Sequence, residues 1–130
     1  MTPFDTKTLP VARDAAAPDG SDVRILLGLQ GGGMAHFVLG AGETSVAVMH
    51  RTVEEIWYLI SGCGQMWREQ AERSEIVDVF AGVCLTIPLG TRFQFRCTGC
   101  EPLAAVAITM PPWPGEGEAI IVTGPWLPTV

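Results

Sequence analysis

The sequence contains a single lysine, Lys7, and only 8 basic residues against 14 acidic ones. Such a chain has no concentrated positive surface to neutralise a phosphate backbone, which excludes nucleic acid as a partner. No uninterrupted apolar run approaches the roughly 20 residues that cross a bilayer. The opening Met-Thr-Pro-Phe-Asp-Thr-Lys lacks the basic-then-apolar order of an export signal. A soluble, cytoplasmic protein without a membrane partner is expected. No helix of three turns is legible, and there is no internal repeat of about 20 to 50 residues, so solenoids and propellers are excluded.

Charged residues make up 17% of the chain and apolar ones 48%, which rules out a disordered segment and allows one sizeable core within 130 residues. Four cysteines stand at Cys63, Cys84, Cys97 and Cys100. In a reducing compartment they remain thiols. Cys97 and Cys100 form a CxxC suited to redox chemistry or half a zinc site, but no second CxxC and no βαβ pattern accompany it. Gly31-Gly32-Gly33 follows a strand without a helix after it, which makes it a turn rather than a phosphate cradle.

Residues 1–22 mix prolines, Gly20 and aspartates with a short alanine run and read as an extended arm ahead of a domain over 23–130. From Val23 onward, short apolar or alternating runs recur between Gly, Pro and charged turns: Val23–Leu29, Met34–Leu39, Thr44–His50, Glu55–Ile60, Gly64–Arg68, Glu75–Phe80, Cys84–Ile87, Thr91–Arg96, Leu103–Met110 and Ala119–Val122. This spacing predicts an all-β sandwich or barrel. Trp113 and Trp126, each set among prolines, are expected to close the barrel ends.

Two spaced motifs refine that expectation. Gly42, Val48, His50, Glu55 and Gly62 follow the spacing G-x5-H-x-H-x4-E-x6-G, with Val48 in place of the first histidine. Gly82, Pro88, Gly90, Phe93 and Cys97 follow G-x5-P-x-G-x2-H-x3-N, with Phe93 and Cys97 replacing the histidine and asparagine. Over residues 23 to 122 the chain therefore resembles a cupin, and the string HRTVEEIWYLISG is similar to a group of small single-domain members. The resemblance implies a double-stranded β-helix, or jelly-roll barrel. It also implies an inward-facing ligand set of three histidines and a glutamate for one divalent transition metal, of which His50 and Glu55 survive.

Strand alternation places Val48 with His50, Glu55 with Trp57 and Leu59, and Phe93 with Phe95 on shared faces. His50 and Glu55 are the candidate catalytic pair or polar anchor, and Val48, Trp57, Phe93 and Phe95 the candidate ligand walls. Neither valine nor phenylalanine offers a lone pair, so two ligands remain where tight binding needs three or four. His36 supplies a third if Met34, His36 and Val38 face inward; if Ala35, Phe37 and Leu39 do, it lies outside. Both faces of that strand are apolar, and alternation leaves the choice open.

Three functions are compatible with this pattern. The first is a small-molecule-binding cupin that is metal-poor or metal-free, with His50 or Glu55 taking a hydrogen bond or a proton. The second is a metal-dependent dioxygenase, isomerase or decarboxylase using His50, Glu55 and His36. The third is an interaction module whose pocket has lost its role. A homodimer is expected, formed where the arm and strand Val23–Leu29 cover a neighbour's sheet edge.

Overall fold

The computed structural model describes residues 1–130. Its strands are β1 (Ala15–Ala16), β2 (Asp22–Leu29), β3 (Gly32–Leu39), β4 (Val48–His50), β5 (Glu54–Ser61), β6 (Cys63–Gln70), β7 (Arg73–Phe80), β8 (Cys84–Ile87), β9 (Arg92–Cys97), β10 (Leu103–Met110) and β11 (Ala119–Ile121). No helix forms, and none is therefore long and apolar enough to cross a membrane. The strands make a six-stranded sheet in the order β1-β2-β3-β10-β5-β8 and a five-stranded sheet in the order β11-β4-β9-β6-β7. β10 lies between β3 and β5, and β9 between β4 and β6, so the chain passes repeatedly from one sheet to the other around a shared interior.

Alternation explains why the sheets face each other. In β5, Glu55, Trp57 and Leu59 are buried while Ile56, Tyr58 and Ile60 are exposed on the opposite face. Val48, Phe93 and Phe95 bury the facing side of the second sheet, and these residues with Leu39 and Met66 share one core. The turns carry the glycines of both motifs. At Gly62 the backbone has φ 78°, and a Cβ there would meet the Pro102 carbonyl oxygen at 2.3 Å. Gly90, at φ 80°, follows Pro88 where β8 gives way to β9. Gln30–Gly31 form the turn between β2 and β3, in keeping with the glycine run.

The two ends of the chain show what patterning could not. The arm expected over 1–22 is extended, but Ala15–Ala16 join the sheet beside Asp22–Val23. Upstream of them, Lys7 Nζ donates to the Ile25 carbonyl at 2.7 Å and Arg24 Nε to that of Pro10 at 2.8 Å. The arm thus lies along the β2 edge of its own chain. At the other end, Trp126 does not close the barrel: it lies on the outer face of the five-stranded sheet, with the Arg96 guanidinium 4.2 Å from its ring centre. Gln94 alternates with the inward Phe93 and Phe95 and so points outward, yet it is fully buried, because the tail covers it. Its amide donates to the carbonyls of Ser45 and Trp126, both at 2.8 Å, and its Oε1 accepts from Trp126 N at 3.2 Å.

Candidate functional site

Between the sheets lies a cavity of about 430 Å³, within the ordinary range for small-molecule sites. His50 on β4, Glu55 and Trp57 on β5, Val48 on β4 and Phe93 on β9 all line it, so the structure brings together five of the seven residues singled out from sequence. Val48 and Phe93 are cross-strand partners, which puts the two non-ligating replacements side by side.

The aromatic wall depends on small neighbours. Ala105 and Ala107 occupy the inward positions of β10, the strand between β3 and β5. Their methyl groups leave room above β10 for Phe37 and Trp57 to stack at 5.4 Å with ring planes 1° apart. Phe93 meets Trp57 edge-on at 6.2 Å. Trp113 closes the cavity as expected, its ring edge-on to His50 at 5.0 Å.

At the polar end, Glu55 is buried opposite Thr109 in register. Thr109 Oγ1 donates to Glu55 Oε2 at 2.7 Å, and Trp57 Nε1 donates to Oε1 at 3.1 Å. Burial raises the Glu55 pKa against these two hydrogen bonds, and the nearby Asp19 carboxylate pushes it the same way. Burial lowers His50 to about 4, against the pull of Glu118. His50 Nδ1 is buried without a hydrogen-bond partner and lies 3.9 Å from Glu55 Oε1. That gap exceeds a hydrogen bond, and burial drives both groups toward neutrality, so the two are neighbours rather than an ion pair.

One sequence expectation is corrected and one open choice is decided. His36 is on the face of β3 opposite Phe37, in the row with Arg24, Val106 and Tyr58, and does not line the cavity. Inward positions of β3 belong to Ala35, Phe37 and Leu39, because these pair with the inward residues of β10. Phe95 is buried behind Trp57, with ring centres 5.1 Å apart, and belongs to the core rather than to the cavity wall.

Asp19 was not legible as a site residue. Pro18-Asp19-Gly20-Ser21 reads as a turn, and Asp19 Oδ1 does accept from Ser21 N at 2.9 Å and Ser21 Oγ at 2.6 Å. The turn is nevertheless folded into the barrel, and Asp19 lines the cavity, its pKa raised by burial. Glu118 was also missed. Its carboxylate accepts from Thr52 N at 2.8 Å, the Thr52 hydroxyl and Val53 N at 3.3 Å, which fixes the turn between His50 and Glu55.

A divalent ion, the group usual in barrels of this kind, does not fit these residues. Val48 and Phe93 have no lone pair and His36 is on the outer face, so of the expected ligands only His50 and Glu55 face the cavity. No three His, Cys, Asp or Glu side chains stand close enough to share an ion.

Strand order, glycine turns and an inward His50 and Glu55 define the double-stranded β-helix fold that the resemblance to cupins implied. Solved structures agree. The chain has a TM-score of 0.70 with an uncharacterized conserved protein with a double-stranded β-helix domain from Klebsiella pneumoniae, at 15% identity, covering 92% of this chain and 100% of that one. With the protein BH2720 from Bacillus halodurans the TM-score is 0.65 at 23% identity over 75% of each chain. Oxalate decarboxylase of Bacillus subtilis, a protein with Mn(II) centres, gives 0.70 at 17% identity; 85% of this chain matches, spanning 30% of that longer one. No protein-family model and no curated protein matches the sequence.

Proposed function

We propose that the chain binds a small organic molecule in the barrel cavity without a metal ion. One observation carries this reading: a 430 Å³ cavity walled by Phe37, Trp57, Phe93 and Trp113 gathers Glu55, Thr109, His50 and Asp19 at its polar positions, while its donor set is too sparse for an ion. An apolar body with a polar head matches that division. A neutral His50 keeps a lone pair at physiological pH and can accept a hydrogen bond from a bound molecule. The metal-dependent alternative lost its third ligand when His36 fell on the outer face of β3.

A thermal-shift screen of single-ring organic fragments tests the reading. Saturable stabilisation is expected, unchanged by EDTA, and abolished by Ala35→Phe, which fills the cavity from β3. Binding that requires added metal, or a complete absence of binding, overturns it.

The same proposal takes the protein to be a cytoplasmic homodimer. Ile56, Tyr58 and Ile60 are 42–51% exposed along the outer face of β5, and Met34 stands in the same cross-strand row as Ile56. An apolar strip of this kind is usually covered by a partner.

A further inference from the structure

We propose that the ligand carries a protonated amine, held at the Glu55 end of the cavity with its apolar part between the aromatic walls. This rests on the binding reading above and adds the charge of the ligand.

The charge inventory of the cavity is one-sided. Two carboxyl groups, Asp19 and Glu55, line it, and no lysine or arginine does. A bound anion would meet two acidic groups and no counter-ion, in a setting where an unpaired charge is costly. The hydrogen-bond inventory points the same way. The donors beside Glu55, Trp57 Nε1 and Thr109 Oγ1, are already committed to its oxygens. Left over are the remaining lone pairs of Glu55, Asp19 Oδ2, which accepts no hydrogen bond from the protein, and the neutral imidazole, which brings one acceptor nitrogen and one N–H and whose Nδ1 has no partner. An ammonium group offers three donors and a positive charge, and so complements this end of the cavity. A hydroxyl offers one donor and a carboxylate none.

The walls suit the same ligand. Phe37, Trp57, Phe93 and Trp113 present ring surface to the cavity, and aromatic rings attract a cation as well as an apolar body. The cavity also explains why two buried carboxyl groups are tolerated together. Asp19 raises the cost of ionising Glu55, and a cation bound in the cavity offsets that cost.

The test uses three probes sharing a phenyl ring and a two-carbon linker: 2-phenylethylamine, 2-phenylethanol and 3-phenylpropionate. Isothermal titration of the intact protein at neutral pH should rank the amine roughly tenfold or more tighter than the alcohol, with the carboxylate weakest. Glu55→Gln should remove most of the amine's advantage, bringing its affinity close to that of the alcohol. Asp19→Asn provides a second variant should the first fail to fold, and should narrow the gap in the same direction. A carboxylate binding as tightly as the amine, or an amine-to-alcohol ratio unchanged in a folded variant, overturns the proposal while leaving a small-molecule site intact. If none of the three binds, both the charge assignment and the underlying binding reading fall.

Discussion

Burial keeps His50 neutral down to a pKa of about 4, whereas an exposed imidazole protonates near 6.5. The unfolded chain therefore takes up a proton between those values that the folded chain refuses, and His50 costs stability as pH falls through that window. By pH 5 the loss is about 2 kcal/mol. Glu55 and Asp19 act in the opposite sense: their raised values mean that the folded state retains protons the unfolded state gives up, so they cost stability as pH rises past the ordinary carboxylate range. Urea unfolding of the wild type and His50→Gln at pH 7 and pH 5 separates the contributions. The wild type should lose about 2 kcal/mol more than the variant on acidification. Equal losses would mean that His50 protonates freely in the fold. Most of this site was legible in the sequence, because His50 and Glu55 sit at fixed spacings from motif glycines. Asp19 was not, since a turn aspartate has the same local sequence whether its loop is exposed or folded inward.

Strands were read more reliably than their coverings. Ten of the eleven were anticipated from alternation and turn residues, though Thr44–His50 contracts to Val48–His50, with Thr44 reduced to an isolated bridge to Arg96. β1 was missed because two alanines carry no period. His36 was undecidable for a physical reason: Met34 and Val38 on its own face are as apolar as Ala35, Phe37 and Leu39 on the other. The C-terminal tail illustrates the same limit. Alternation with the inward Phe93 and Phe95 points Gln94 outward, and only the tertiary structure shows the tail folded over it. That contact gives a prediction about an element with no regular structure. A Cβ at Gly124 would lie 2.2 Å from Gln94 Oε1 and 2.7 Å from the Ala47 Cβ. Gly124→Ala should therefore destabilise the protein by about 1–3 kcal/mol in denaturant unfolding. Gln94→Ala should cost a similar amount, roughly 2 kcal/mol, by leaving Trp126 N and two carbonyls without their partner. Variants as stable as the wild type would show that the tail does not hold sheet and terminus together.

As a whole molecule, the protein combines a double-stranded β-helix barrel with an interior walled largely by apolar side chains. Its exterior bears an apolar strip along β5, the surface proposed to pair two copies. Replacing Tyr58 and Ile60 by aspartate should leave a folded monomer in light scattering, whereas an unchanged mass would place any interface elsewhere. The central claim, that the cavity is built for an organic ligand and not for an ion, is tested most directly by equilibrium dialysis of tag-free protein against excess manganese or zinc. The wild type and His50→Ala should take up the same small amount. Val48→His combined with Phe93→His should gain about one equivalent, because these register partners would join His50 and Glu55 in a four-donor set. One equivalent bound tightly by the unmodified protein and lost on His50→Ala would contradict the account.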